Sequence, residues 1–390
     1  MNFDQIAPRW GTDSVKYDLC LRQGFAPDVL PLWVADMDFP APDCVREALQ
    51  KMVDFNVYGY SMAGEGYYRA VIDWFTRRHG WTPERKWIVT TPGVIYALCT
   101  AVRAFTAPGD AVAVMTPVYH HFFTPVTDNG RRLVQCDLRL TDGGYEIDFD
   151  ALERALDREK PKMLILCSPH NPVGRVWSEA ELRRLGGLCF ERGVLVAADE
   201  IHCDFVYPGR TFVPFLSLGE EFAQNAFSCT APSKTFNLAG LEDSNIIIPN
   251  PELRRAFRAE MTGQGISEAA LPGRVSCQAA YEGGAEWLDA LLVYLRGNYD
   301  AAAEFLARRL PQLRLCPLEG TYLAWIDARG LGLDAAALER FMREKANVRF
   351  NPGAEYGAAG AGFLRLNLAT SRATVLAALE RFAVAVEENL

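Results

Sequence analysis

The sequence predicts an α/β fold, with a mostly parallel sheet covered by helices and a smaller α+β domain after it. Three observations predict it. Between about residues 85 and 250, short β-rich runs alternate with helical patterns. Several of those runs are apolar on both faces, as suits strands buried between two helical layers. Beyond them strands and helices continue without the compact alternation, which reads as a second unit.

Taken in order, the first 45 or so residues are rich in Pro and Asp without a clear period, and are expected to pack across the smaller unit. "WIVTT", "AVAVMT", "KMLILCS", "VLVAAD", "AFSCT" and "NIIIP" predict six strands. Between them "GVIYALCTAVRAF" and "SEAELRRLGGLCFERG" carry helical periodicity. "AEWLDALLVYLRGNYDAAAEFLARRL" predicts a long helix that stops at Pro311. "TYLAWIDA", "AAALERFMREK", "GFLRLNLA" and a last helix, "ATVLAALERFAVAVEENL", complete the smaller domain. A chain of 390 residues is long for one core. The expected division is a large domain over 46–285 and a small domain built from 1–45 and 286–390. No internal repeat or low-complexity tract interrupts this plan.

The formal net charge is -9 and the basic residues are scattered, so no electrostatic footprint for nucleic acid or an anionic membrane is present. Neither a signal-peptide pattern nor an apolar run of membrane length occurs, and a cytoplasmic location is expected. The ten cysteines show no C-x-x-C or similar ligand spacing. Most lie in apolar contexts, where a free thiol packs as a small hydrophobe.

In an open parallel sheet, ligands bind beyond the carboxyl ends of the strands. Those positions hold Pro92-Gly93, "PVYHHF" (Pro117 to Phe122), "PHNPVG" (Pro169 to Gly174), "DEIHCD" (Asp199 to Asp204) and the Lys234 segment "APSKTFNLAGLE". Each residue has an ordinary structural reading and a chemical one. Gly93 alone is a turn glycine, yet at a helix start it offers free N–H groups and a positive dipole end to a phosphate. Asp199 ends an apolar strand and needs a partner, either a structural cation or a protonated heterocyclic nitrogen. Asn171 either starts a turn or donates its amide to a ring oxygen. "DEIHCD" invites a metal set of Asp199, Glu200, His202 and Asp204, but alternation along a strand points neighbours to opposite faces and no metal motif is present. Lys234, just past a buried strand, is placed to form an imine with a carbonyl, since desolvation favours its neutral amine. Together these groups describe a site for pyridoxal 5'-phosphate, with no metal ion.

The order Asn171 to Gly174 (Asn-Pro-x-Gly), Asp199-Glu200, Ser233-Lys234 and Arg365 to Asn367 (Arg-Leu-Asn) resembles the aspartate aminotransferase superfamily, the fold type I pyridoxal phosphate enzymes. More narrowly, "LWVADMDFPAP", "YGYS", "SPHNPVGRVW", "DEIHCDFVYPG", "PSKTFNLAGL" and "EGTYLAWID" are similar to its cystathionine β-lyase or carbon–sulfur lyase branch. The likeness runs from about Pro31 to Arg372.

That resemblance implies a seven-stranded sheet in the large domain. It implies that Lys234 holds the cofactor and later takes the substrate's Cα proton, that Asp199 pairs with the ring nitrogen, and that Asn171 bonds the ring oxygen. Tyr119 would stack on the ring and face the substrate, and His202 falls where many aminotransferases place a tyrosine. Arg365 would bind the substrate carboxylate as a fork. The N–H groups of Gly93 and Val94, with Ser233, would hold the phosphate, and Tyr60 would reach the phosphate of a second subunit in a homodimer with shared sites. The chain departs from the wider superfamily at Glu242, where many members carry an arginine, and at Ala231, so less charge compensates the phosphate. The implied reaction is β-elimination from cystathionine or a related S-substituted cysteine, giving a thiol, pyruvate and ammonia. Transamination between an amino acid and a 2-oxo acid uses the same core residues and is the alternative reading. A regulatory protein that keeps the fold without catalysis is a third, against which stands the presence of Lys234, Asp199, Asn171 and Arg365.

Overall fold

The computed structural model describes residues 1–390. Seven strands form the large sheet, in the spatial order Ile88–Thr91, Ser244–Ile247, Ala226–Thr230, Leu195–Asp199, Met163–Cys167, Ala111–Thr116, Arg132–Asp137. All pairings are parallel except those of Ser244–Ile247, which runs antiparallel to both neighbours. The connection leading into that strand contains only two short helical turns, Pro232–Thr235 and Ala239–Leu241, so the chain reverses instead of crossing over.

Alternation along these strands feeds two apolar layers. Val112, Val114, Ile165, Ala197 and Phe227 point to one face, under the helices Val94–Phe105 and Pro251–Gly263. Ala113, Leu164, Leu166, Val196 and Ala198 point to the other, where the helices Glu65–His79, Glu179–Glu191 and Leu271–Gly283 lie. Six strands are buried along their whole length. The seventh, the edge strand Arg132–Asp137, mixes exposed and buried residues, whereas the opposite edge strand, Ile88–Thr91, is covered.

The helix Ala285–Arg309 leads into a four-stranded antiparallel sheet ordered Arg314–Leu315, Leu323–Asp327, Phe363–Asn367, Asn351–Pro352. The helices Ala335–Phe341 and Arg372–Asn389 complete this unit. The predicted helix "AAALERFMREK" is α-helical only to Phe341 and widens to a π-helical turn over Met342–Ala346.

The N-terminal segment runs along the smaller sheet and also meets the loop that follows Pro232–Thr235. Leu30–Pro31 pairs in parallel with Val348–Arg349. Further on, Asn367 donates through Nδ2 to the carbonyls of Val34 and Asp36, while Asn237 donates to those of Met37 and Phe39. Residues 34–39 are thereby strapped between the two sheets. A buried ion pair, Lys16 Nζ to Asp38 Oδ2 at 2.9 Å, anchors the strap from behind.

Candidate active site

The carboxyl ends of the parallel strands open into a cleft of about 690 Å³ lined by Gly93, Tyr119, Asn171, Asp199, His202 and Lys234, among others. Val94, Ser233, Glu242 and Asp243 also line it. Nine of the sequence-predicted residues are therefore placed as follows: eight in this one cleft, and Arg365 bonded to its wall. Tyr60 is the exception, fully exposed in the extended stretch before Glu65 and outside the cleft.

Lys234 projects from the short helix Pro232–Thr235, which opens with proline at its first position, where the missing N–H costs nothing. Its Nζ donates to the carbonyl oxygen of Ala35 at 2.9 Å, so the strap forms the far wall. Tyr322 donates to the same oxygen at 2.8 Å. Burial lowers the proton affinity of the Lys234 amine, opposed by the negative charge of Asp36.

Asp199 ends its strand with Oδ1 accepting from the Ile201 N–H at 3.1 Å. Burial pushes its carboxyl up to about 7, partly offset by the Ile201 N–H and the Lys234 charge. The neighbouring Glu200 turns away from the cleft, accepting from the Phe215 N–H at 2.7 Å and from the Ser228 hydroxyl. Asp204 is held elsewhere by Trp74, Thr235 and His79. The four side chains of "DEIHCD" that invited a metal reading thus diverge.

Asn171 lies in a turn that requires Gly174. At φ +74° a side chain there is strained, and its Cβ would sit 2.9 Å from Leu318 Cδ1. The Oδ1 of Asn171 accepts from Arg365 Nη1 at 3.0 Å, which aims the amide NH2 away from the arginine. Arg365 is 2 % exposed, and its second terminal nitrogen donates to Trp33 O and Asn351 Oδ1. Its Nε is buried without a partner, as is Nδ1 of His202. Desolvation keeps the His202 ring neutral.

At the other end of the cleft, no side chain caps the helix Val94–Phe105. Gly93 is extended, so backbone freedom does not explain it. A Cβ built there meets nothing within 4 Å, and the glycine leaves the helix N-terminus open to the cleft. Lys234 and His202 are the only basic residues lining the cleft, against Asp199, Glu242 and Asp243.

Sequence reasoning missed the carbonyl of Ala35 and the pair Trp33 and Asn351 that hold Lys234 and Arg365. Two of these contacts are made by backbone oxygens, which leave no residue-type signal. Asp243 was also missed, although it lies directly after Glu242 and its charge was legible.

A lysine amine, a buried carboxyl and an aimed amide converge at the strand ends of an α/β sheet beside an open helix N-terminus. These features define a class of protein built for amine–carbonyl chemistry on a phosphate-bearing ligand. The profile of the family "Aminotransferase class I and II" matches residues 27–382. The chain belongs to that family. It is 42% identical to cystathionine beta-lyase PatB of Bacillus subtilis over 386 residues, 99% of this chain and 100% of that one. It is 33% identical to protein MalY of Escherichia coli, over 95% of each chain. Among solved structures, cystalysin from Treponema denticola, which contains a pyridoxal 5'-phosphate cofactor, superposes with a TM-score of 0.97 at 38% identity, covering 99% of both chains.

Proposed function

We propose that the protein is a pyridoxal phosphate-dependent carbon–sulfur β-lyase that cleaves cystathionine or a related S-substituted cysteine to a thiol, pyruvate and ammonia. The full-length match to relatives named as cystathionine β-lyases carries the reaction, and the cleft carries the cofactor. The residues fit pyridoxal 5'-phosphate on three observations. Gly93 leaves a helix N-terminus open, Asn171 has its amide NH2 free, and His202 has a buried Nδ1 without a partner.

When bound, the cofactor supplies a protonated ring that draws electrons from the substrate's Cα. Lys234 would hold the group through its amine, and that amine would be the base that takes the substrate's Cα proton. Burial raises the neutral fraction of that amine. Asp199 would keep the ring nitrogen protonated, and the nitrogen's positive charge would in turn favour the carboxylate. Asn171 donates to the ring oxygen, with His202 beside it. Tyr119, which lines the cleft, would stack on the ring and face the substrate. Arg365 receives the substrate carboxylate on a fork pre-set by Asn171, Asn351 and Trp33. The N–H groups of Gly93 and Val94, with the Ser233 hydroxyl, hold the phosphate.

Residues 46–285 form the cofactor-binding domain in this reading, and 1–45 with 286–390 the domain that closes over the substrate. The exposed stretch with Phe55, Tyr58, Tyr60 and Met62 supports a homodimer in which Tyr60 reaches the second subunit's phosphate. All ten cysteines are unpaired, which supports a reducing, cytoplasmic setting. No helix is long and apolar enough to cross a membrane.

The test is a panel of cystathionine, cystine and S-alkyl cysteines scored for pyruvate and for the released thiol. Pyruvate and thiol in equal amounts support the lyase. Conversion of an added 2-oxo acid to its amino acid, without pyruvate from these substrates, would make it an aminotransferase.

A further inference from the structure

The phosphate end of the cleft is acidic. Glu242 and Asp243 line the cleft together with Pro92, Gly93, Val94, Ile95 and Ser233, and the pairing of Ser244 with Thr91 sets them beside the open helix N-terminus. Asp243 is 4 % exposed, and its Oδ1 is buried without a hydrogen-bond partner. A carboxylate in that position, beside a phosphate, would repel it at close range in a medium that screens poorly.

The groups around Asp243 explain how this is tolerated. From the helix Glu65–His79, the Tyr67 hydroxyl lies 2.9 Å from Asp243 Oδ2 and 2.8 Å from Asn245 Oδ1. The phenol carries one proton and faces two oxygens. With the Asn245 amide nitrogen turned to Cys277 Sγ at 3.7 Å, Tyr67 is the group that donates to Asp243 Oδ2, and Oδ1 is the carboxyl oxygen left free to carry a proton. From the helix Leu271–Gly283, Cys277 faces the same carboxyl. Arg274, whose charge favours the carboxylate, is bonded to Glu268 at 2.8 Å and to Ser61 at 2.6 Å. Glu242, adjacent in the chain, adds negative charge to the same end. Burial pushes the Asp243 carboxyl up to about 6, against the lowering effect of Cys277, Tyr67 and Arg274.

We propose that Asp243 binds the cofactor's phosphate as a neutral acid, the two sharing one proton taken from solvent as the cofactor binds. This rests on the pyridoxal phosphate reading above. The shared proton supplies, at this end, the positive charge that no side chain provides. Binding is then linked to pH, and above neutrality the affinity falls about tenfold per pH unit from this proton alone. Asparagine at this position donates without titrating, so Asp243→Asn removes that slope.

The test is calorimetry of cofactor binding to the stripped full-length protein at pH 8, in buffers of differing ionisation enthalpy, which counts protons taken up. Pyridoxal, which lacks the phosphate, is the control ligand. Wild type is expected to take up about one more proton with pyridoxal phosphate than with pyridoxal, and about one more than D243N takes up with pyridoxal phosphate. Pyridoxal binding by D243N reports that its site is folded, and should D243N not fold, the two-ligand comparison in wild type decides alone. Equal counts for the two ligands in wild type, with tight binding of both, would overturn the proposal and leave the cofactor reading intact. Failure of wild type to bind pyridoxal phosphate would overturn both.

Discussion

Replacing Asp199 by Asn separates what the carboxyl costs the fold from what it gives the cofactor. Asp199 is 3 % exposed and burial raises its carboxyl to about 7, from an ordinary value near 4. A carboxyl raised in the folded state binds its proton more tightly there than when unfolded. Stability is therefore greatest below the unfolded value and is lost as pH rises through the folded one. Three pH units at about 1.4 kcal/mol each set a ceiling of about 4 kcal/mol lost between pH 4 and pH 8. Asparagine keeps an oxygen for the Ile201 N–H and carries no charge. Urea denaturation of the stripped proteins should find D199N close to wild type at pH 5 and about 2–4 kcal/mol more stable at pH 8. With cofactor present the order reverses in function, and kcat should fall by about a hundredfold or more as the ring nitrogen loses its proton-holding partner. A stripped D199N less stable than wild type at pH 8, or one that keeps full kcat, would refute the reasoning.

Arg365→Lys removes the planar fork while keeping the charge, and leaves Asn171 Oδ1, Asn351 Oδ1 and Trp33 O competing for one ammonium. KM for the amino acid should rise about 10- to 100-fold, while cofactor absorbance is retained; an unchanged KM in steady-state assays would remove Arg365 from the substrate site. If Tyr60 serves the second subunit, Tyr60→Ala and Lys234→Ala, each weak alone, should complement when mixed and refolded together. The hybrid dimer holds one site with both residues, so recovered pyruvate formation supports shared sites and none contradicts them.

Legibility followed burial. Strands apolar on both faces announced themselves because every one of their side chains is covered. The edge strand Arg132–Asp137 was missed as an individual element because half of it faces solvent, and "RLVQCD" reads no differently from a loop. The antiparallel direction of Ser244–Ile247 depends on how far the preceding connection travels, which residue types do not state. In the site, Lys234, Asp199 and Asn171 were legible because polar groups directly after apolar strands are costly unless used. The strap was recognised as a motif in "LWVADMDFPAP" but its action was not, because it works through main-chain carbonyls at Trp33 and Ala35. Asp243 escaped because its meaning lies in Tyr67 and Cys277, brought to it from helices far along the chain.

The central claim is that Lys234 carries pyridoxal 5'-phosphate. The most direct test is to treat the purified protein with borohydride, which fixes a cofactor held through an amine, and to map the labelled peptide by mass spectrometry. Visible absorbance bleached by the reagent, with the cofactor's mass on Lys234 and no label in Lys234→Ala, is the predicted result. A protein that stays colourless with added cofactor, or a label on any other lysine, would contradict the account.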